Sequence, residues 1–208
     1  MSPDTLVSAF VTLFLVVDPL GLVPTFLAVT EGLPAAARRQ VAARACIIAA
    51  VVLAGAAIAG DWLFKTVGIT LPAFRIAGGL LLFSIASEMV LGVRIERQSK
   101  TAEQAIEEHV RNIAAFPLAI PLMAGPGAIT ATVLLAGRVG GDPAAFALLL
   151  GVICAVLAIC YVAFLAAGRI GRTLGITGNV VLSRLLGVLL AALAVQYVID
   201  GIRAVLAA

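Results

Sequence analysis

Two apolar stretches of this chain each contain a pair of prolines, and the pattern recurs at a fixed distance. Pro19 and Pro24 of the first stretch correspond to Pro121 and Pro126 of the second, 102 positions later. Proline removes a backbone donor and clashes with the preceding turn, so each stretch is expected to be a broken helix. In a bilayer, broken backbone is tolerated only where protein or a water-filled cavity satisfies it. Paired interruptions in two halves indicate the binding site of a transporter.

The composition requires a membrane around most of the chain. Hydrophobic residues make up 62% of the 208 residues and charged residues only 12%, against about 45–50% and about 25% in soluble domains. We therefore expect an all-α integral membrane protein with six transmembrane helices, helices 1 and 4 being discontinuous. The spans, each longer than the roughly 20 residues that a bilayer requires, are residues 6–29, 41–64, 72–93, 113–137, 144–167 and 180–203.

The two halves of the chain resemble each other beyond the prolines. Lys65–Thr70 matches Arg172–Thr177 with four of six residues identical and the charge kept. Each half has three spans, and an odd number gives the halves opposite orientations, which is the inverted-repeat architecture of many transporters. We predict a first three-helix repeat over 1–94, a cytoplasmic linker over 95–112, and a second repeat over 113–208.

The distribution of basic residues predicts the orientation. Cytoplasmic loops carry an excess of Lys and Arg, and placing both termini outside gives the larger basic count to the cytoplasm. We therefore expect a multi-pass protein of the inner (plasma) membrane with periplasmic termini. The cytoplasmic set is Arg38, Arg39, Arg44, Arg94, Arg97, Lys100, Arg111, Arg169, Arg172 and Arg184, and the outer set is Lys65, Arg75, Arg138 and Arg203.

Asp18 is the most unusual residue of the first broken span. It lies about twelve residues into that span, or about 18 Å along a helix, which is near the bilayer midplane. A charge at that depth is costly and usually marks an ion or substrate pathway. Asp18 is therefore a candidate for coupling or for contact with a substrate ammonium. The alternative is an aspartate that caps the second half-helix, and the two roles are compatible.

The second break carries no charge, which suits a different part of a substrate. Gly125 and Gly127 flank Pro126, and the N-terminus of the following half-helix would attract an anion such as a carboxylate. The two breaks would then divide a zwitterion between them, although a kink without a ligand is the alternative. The predicted substrate-binding residues are Asp18, Pro19, Gly21, Pro24, Thr25, Pro121, Gly125, Pro126, Gly127 and Thr130.

Further polar residues in the spans are candidates for coupling or gating. Glu88 is either a second protonatable relay group or the partner of a cytoplasmic-side arginine such as Arg184. Gln196 is expected to face the central cavity. A salt bridge between Arg75 and Asp200, both near outer helix ends, would close an outer gate.

Signatures of other function classes are missing from the sequence. It contains no metalloprotease His-Glu-x-x-His pattern and no phosphate-binding loop, so we expect neither an enzyme nor a cofactor, and the three cysteines have no metal spacing. The net charge of +3 does not indicate a nucleic-acid partner. A channel is harder to exclude, and the argument against it is the inverted pair of breaks.

The chain resembles the MarC family of inner-membrane proteins, also described as six-span neutral amino acid transporters. The Asp-Pro pair of the first span is most similar to the SnatA-type branch of that family. The resemblance covers the chain nearly end to end. It is carried by Asp18–Gly21 with Pro24, Phe74–Gly79, Pro117–Pro121, Ala124–Gly127, Ser183–Gly187 and Gln196–Tyr197.

This resemblance implies a six-helix fold and transport of small neutral amino acids, glycine or alanine, coupled to the proton gradient. The expected partners are therefore a small neutral amino acid, a proton or another cation, and the lipid bilayer. The alternatives are an exporter of another small metabolite or drug, and a channel-like or non-transporting membrane protein. The exact substrate, the direction of transport, the coupling ion and a homo-oligomeric state are left open.

Overall fold

The computed structural model describes residues 3–94, 97, 113–139 and 142–207, and this part of the chain is helical without any strand. The expectation of an all-α protein is therefore confirmed for it. The predicted linker, apart from Arg97, lies outside the described residues. The helical segments are α1 (Pro3–Val17), α2 (Val23–Val29), α3 (Ala35–Val67), α4 (Leu71–Leu91), α5 (Ala114–Met123), α6 (Pro126–Val139), α7 (Pro143–Leu165) and α8 (Ala167–Leu206).

Several of these helices are long and apolar enough to cross a bilayer. In the described part of the chain four qualify, and a fifth span results if α5 and α6, bent by 57°, are counted together. Helix α3 has a row of large apolar side chains on its outer surface. Each is more than 60% exposed: Ile47, Val51, Ile58 and Trp62. A row of exposed large apolar side chains is unfavourable in water and favourable in hydrocarbon. The protein is therefore an integral membrane protein with several apolar helices.

The expected first span is the one that departs most from a continuous helix. α1 has 15 residues and α2 has 7, so neither alone reaches the roughly 20 residues that a bilayer requires. The chain is broken between Val17 and Val23, at the first proline pair, and between Met123 and Pro126, at the second. Both interruptions lie where the prolines predict them, whereas six complete spans remain a prediction.

Helices α4 and α8 pack against each other in antiparallel directions through glycines. A Cβ atom on Gly79 would lie 2.8 Å from the carbonyl oxygen of Ala194, and one on Gly187 would lie 3.2 Å from that of Ala86. Near the other end of α8, a Cβ on Gly201 would lie 3.0 Å from the carbonyl oxygen of Pro72. Small residues at these crossings let the two backbones approach closely, as is usual in membrane bundles.

Helix α6 packs against α1, α3 and α4, and these contacts fix the position of the second break. A Cβ on Gly60 of α3 would lie 2.6 Å from Val133, and one on Gly78 of α4 would lie 2.8 Å from both Thr130 and Leu134. The side chains of α6 thus fill the space that these glycines leave open. As a consequence, the N-terminal end of α6 is anchored beside α1, α3 and α4.

Candidate functional site

The second break is built by prolines that force extended backbone into an apolar segment. Phe116 (φ −132°, ψ 127°) and Ile120 (φ −126°, ψ 123°) are the non-helical residues inside α5, and each precedes a proline. Steric clash with the proline ring pushes the preceding residue out of the helical region, which explains both values. α6 then starts at Pro126, the first position of a helix, where a missing N–H costs nothing.

A cavity of about 270 Å³ lies at this break. Its walls combine the start of α6 with groups from α1, from α4 and from the residues that follow α4. The first N–H groups of a helix have no partner within the helix, and in α6 these include the N–H groups of Gly127 and Ala128. The lining residues are Val16, Ile85, Arg94, Arg97, Pro121, Leu122, Gly125, Pro126, Gly127 and Ala128.

Arg94 is a buried, cavity-lining residue that the sequence interpretation did not include among the site residues, because its charge was assigned only to topology. α4 ends at Gly92, whose left-handed backbone (φ 82°) turns the chain, and Arg94 is only 6% exposed. Its Nη2 donates a 2.8 Å hydrogen bond to the carbonyl oxygen of Val16. Its Nη1 is buried and has no hydrogen-bond partner among the described residues. Arg94 therefore lines the cavity and retains one buried guanidinium nitrogen without a partner in the described part of the chain.

The first break lies beside the second. Val16, near the end of α1, is one of the residues that line the cavity at the second break. A Cβ atom on Gly127 would lie 3.2 Å from the Cγ1 of Val16. The arginine bond to the Val16 carbonyl group satisfies part of the backbone that the first break leaves open. The expectation that the broken segments of the two halves approach each other therefore agrees with these contacts.

Asp18 is buried and is not among the residues that line the cavity. It is 2% exposed, has left-handed backbone (φ 55°), and its Oδ1 accepts a 3.0 Å hydrogen bond from the N–H of Gly21. The carboxylate therefore closes the turn of the break, whereas Leu22, the residue that precedes α2, provides no side-chain cap. Asp18 also interacts electrostatically with Arg94. Its charge is thus compensated in part by the arginine that lines the cavity.

The remaining predicted binding residues divide between the cavity and its surroundings. Pro121, Gly125, Pro126 and Gly127 are among the lining residues. Thr130 is buried in α6, where its methyl group packs against Gly78. The members from the first break are not among the lining residues: Pro19, Gly21 and Thr25 are buried and Pro24 is exposed.

Glu88 forms its ion pair with a different arginine from the one suggested by the sequence. Its Oε1 lies 2.7 Å from the Nη1 of Arg97, whereas Arg184 is exposed and its Nη2 would lie 3.4 Å from a Cβ atom on Gly92. Arg97 lines the cavity. Glu88 therefore holds a second guanidinium group at the cavity.

The predicted outer salt bridge exists with another partner. Asp200 pairs with Arg138 of α6, with 3.3 Å between Oδ2 and Nη2, and accepts a 2.8 Å hydrogen bond from Gln196. Arg138 also lies 4.6 Å from the ring centroid of Tyr197, a favourable cation–π distance. The pairing of Asp200 with Arg75 was wrong, and the Nε of Arg75 is buried without a hydrogen-bond partner in the described part of the chain.

Across the residues that the structure describes, no three His, Cys, Asp or Glu side chains are grouped in a way that could hold a metal ion. The polar groups at the cavity are the guanidinium groups of Arg94 and Arg97, the second of them paired with Glu88, and the N–H groups at the start of α6. Such a set recognises an anion, and a carboxylate or a phosphate would match it.

Comparison with known proteins identifies relatives over nearly the whole chain. The sequence profile of the MarC family integral membrane proteins matches residues 4–206. The chain is 38% identical over 201 residues to the UPF0056 membrane protein MJ1677 of Methanocaldococcus jannaschii, which covers 95% of this chain and 96% of that protein.

Two bacterial relatives show similar agreement. The UPF0056 membrane protein YhcE of Escherichia coli is 34% identical over 199 residues, covering 94% of this chain and 91% of its own. The UPF0056 membrane protein YvbG of Bacillus subtilis is 35% identical over 199 residues, covering 95% and 94%. No solved structure gives a significant match.

Proposed function

The chain belongs to the MarC family of integral membrane proteins, and we propose that it is a secondary active transporter of small neutral amino acids such as glycine and alanine. The observation that carries this proposal is the cavity at the second break, which is lined by both Arg94 and the N-terminus of α6. In this proposal the substrate is bound there and is accompanied by a proton.

The size of the cavity favours a small substrate. Its volume of about 270 Å³ is below the range of about 300–1,000 Å³ that is typical of pockets for drug-sized ligands. A small amino acid fits this space together with water, whereas a bulky drug would need the walls to separate. This comparison supports glycine or alanine over a larger exported compound.

The charge of the cavity favours a substrate with a carboxylate group. The Nη1 of Arg94 is a buried donor without a partner in the described part of the chain, and the start of α6 offers backbone N–H groups. A carboxylate would satisfy both with charge-assisted hydrogen bonds. In this proposal the ammonium group faces the carbonyl oxygen of Pro121, which adjoins Gly125. Carbonyl groups of unwound backbone coordinate cations in transporters.

Asp18 is the candidate for the proton that accompanies the substrate. It is buried and interacts with Arg94, which lines the cavity. A substrate carboxylate that binds Arg94 would compete with Asp18 for the same positive charge, so occupancy of the cavity and proton occupancy of Asp18 are coupled. This role replaces the direct ammonium contact expected from the sequence.

We extend the proposal to the architecture and the orientation. The antiparallel packing of α4 against α8 and the paired breaks are what two inverted three-helix repeats with six spans would produce. The excess of basic residues around Arg94 and Arg97 supports a cytoplasmic position for this cavity in an inner-membrane protein with both termini periplasmic. The salt bridge between Arg138 and Asp200 would then lie toward the outer side.

The test is uptake of radiolabelled glycine and alanine into proteoliposomes, with and without an imposed pH gradient. Arg94→Gln should lower the uptake rate at low substrate concentration more than about tenfold, since a buried charge pair is lost. Arg203→Gln is the matched control: it removes the same charge at an exposed site away from the cavity and should stay within about twofold. Asp18→Asn should retain exchange of substrate but lose the response to the pH gradient.

A competition assay separates carboxylate recognition from other effects. Glycinamide keeps the ammonium group of glycine but lacks the carboxylate, so it should fail to inhibit glycine uptake. Absence of uptake of either amino acid under every gradient would overturn the amino acid proposal. Equal inhibition by glycinamide and glycine, or wild-type uptake by a well-folded Arg94→Gln protein, would overturn the binding mode.

A further inference from the structure

A second cavity, of about 450 Å³, lies where α2, α3, α7 and α8 meet. Its lining includes Arg38 and Arg39 from the first turns of α3, together with Phe26, Phe164, Leu165 and Gly168. None of these residues lines the cavity at the second break. The transport proposal makes no use of this cavity, and its walls combine strong positive charge with apolar surface.

The positive charge of the second cavity has several sources. The residues Ala35 and Ala167, which also line it, are the first residues of α3 and α8. The N-terminal, positive end of α3 therefore borders this space, whereas the start of α8 follows directly on Leu165, the last residue of α7, which also lines the cavity. Two arginines add full charges, and no carboxylate is among the lining residues. Together these groups would bind a phosphate group.

The two arginines are oriented by hydrogen bonds that use their Nε atoms. The Nε of Arg38 donates to the carbonyl oxygen of Leu33 at 3.1 Å, and the Nε of Arg39 donates to the hydroxyl oxygen of Tyr161 at 3.2 Å. Each bond holds a guanidinium group in place through one nitrogen. The terminal nitrogens of a guanidinium group so fixed are the ones that bind phosphate oxygens in pairs.

The other lining residues of the cavity are apolar, and one of them reaches the protein surface. The rings of Phe26 and Phe164 stack with 4.5 Å between their centroids, and the neighbouring Leu165 is 51% exposed. A ligand with a charged head and a hydrocarbon tail matches both walls. A free phosphate compound would leave the apolar wall uncovered.

The depth of the cavity agrees with the headgroup level of a bilayer. Arg39 and Trp62 lie at opposite ends of α3, which separates them by about 35 Å at 1.5 Å per residue. Trp62 is 67% exposed, and Trp and Tyr are enriched at the two membrane interfaces. Arg39 with Tyr161 marks one interface and Trp62 the other. The second cavity is therefore at the edge of the hydrocarbon region.

From these observations we propose that the second cavity binds the headgroup of an anionic phospholipid, with the phosphate held by Arg38 and Arg39 and an acyl chain along Leu165. Basic pockets between transmembrane helices on the cytoplasmic side are suited to such lipids. The bound lipid would bridge α2 to α3, α7 and α8. The lipid would thereby stabilise the position of α2, the short helix that follows the first break.

The experiment is native mass spectrometry of the delipidated full-length protein, titrated with phosphatidylglycerol or with phosphatidylcholine of the same acyl chains. We expect the wild type to bind phosphatidylglycerol at least about tenfold more tightly. The double variant Arg38→Gln/Arg39→Gln should lose about tenfold in affinity for phosphatidylglycerol, given the contribution of each arginine near an anionic surface. Its affinity for phosphatidylcholine should be unchanged.

The matched control is the double variant Arg169→Gln/Arg172→Gln, which removes two exposed arginines of α8 from the same side of the protein. It should lose less than about threefold, because these residues do not line the cavity. The variant Arg38→Lys/Arg39→Lys serves as the test if the glutamine variant does not fold: it should keep the preference for phosphatidylglycerol but bind this lipid more weakly than the wild type, because lysine cannot bind phosphate oxygens in pairs.

Three results would overturn the proposal. The first is equal affinity of the wild type for the two lipids. The second is an equal loss of phosphatidylglycerol binding in the control variant, which would indicate general attraction to basic surface. The third is displacement of the lipid by soluble glycerol phosphate at concentrations comparable to the lipid, which would show that the cavity selects a free phosphate compound.

Discussion

The Nη2 of Arg94 donates a 2.8 Å hydrogen bond to the carbonyl oxygen of Val16, although the two residues are 78 positions apart in the chain. The bond joins the turn after α4 to the end of α1 and so connects the first break with the cavity at the second. Asp18, two positions after Val16, interacts electrostatically with the same arginine. Arg94 therefore has a structural role in addition to the proposed contact with substrate.

This relationship predicts energetic coupling between Asp18 and Arg94. Arg94→Gln should lower the free energy of unfolding by about 3–5 kcal/mol, because it leaves a buried carboxylate without its opposite charge. The double variant Asp18→Asn/Arg94→Gln should lose less than the sum of the two single variants, by about 1–3 kcal/mol. Reversible unfolding in mixed detergent micelles measures all four proteins. Strictly additive effects would contradict the coupling.

The first break predicts a strong effect of a methyl group at Gly21. A Cβ atom there would overlap the carboxylate of Asp18, which accepts the hydrogen bond from the Gly21 N–H. Gly21→Ala should therefore lower the free energy of unfolding by about 1–3 kcal/mol. Gly55→Ala is the control, because a Cβ on Gly55 of α3 meets nothing within 4 Å. A destabilisation of that control by more than about 0.5 kcal/mol would argue against the interpretation, since alanine is the better helix former.

The α4–α8 contact predicts that Gly79 tolerates no side chain. A Cβ atom on this residue would lie 2.8 Å from the backbone oxygen of Ala194 and 2.7 Å from the Cγ2 of Val198, so the helices must separate. Gly79→Ala should destabilise the protein by about 1–3 kcal/mol. Gly151→Ala in α7, where the space is open, should be close to neutral. Thermal unfolding of the purified proteins in one detergent compares the two, and similar midpoints would disprove the expectation.

The outer salt bridge predicts which arginine is coupled to Asp200. The side chains of Arg138 and Asp200 are 26% and 33% exposed, so solvent screens their attraction and the coupling should be below about 1 kcal/mol. A double-mutant cycle of Arg138→Gln with Asp200→Asn should still give a measurable favourable coupling. The same cycle with Arg75→Gln should give none within error. Larger coupling with Arg75 would show that the register of α4 and α8 differs from the one described.

Local features were predictable from the sequence, and features that depend on helix register were not. The breaks follow from Pro19, Pro24, Pro121 and Pro126, since proline acts on its own turn and on the preceding residue. The pairing of Asp200 depends on which faces of α4, α6 and α8 meet. Many rotations of these apolar helices satisfy the same hydropathy, so Arg75 and Arg138 were equally plausible by position.

Arg94 illustrates a second limit of sequence interpretation. A basic residue just beyond an apolar span usually marks the cytoplasmic side. The same position therefore gives no indication that the side chain of Arg94 turns back into the helix bundle. A signal was present two positions earlier: a glycine at the end of a helix commonly adopts left-handed backbone and redirects the chain. Gly92 does this, with φ of 82°, and so directs Arg94 back into the bundle. The pair of Gly92 and Arg94 could therefore have identified the buried guanidinium group.

The glycine-lined contact between α4 and α8 also determines the order in which the bundle can be completed. Synthesis proceeds from the N-terminus, so α4 enters the membrane well before α8 leaves the ribosome. Until then the face of α4 that contains Gly79 has only lipid tails against it. Docking of α8 must expel those tails, so a nascent chain arrested before α8 is synthesised should leave the Gly79 face of α4 covered by lipid.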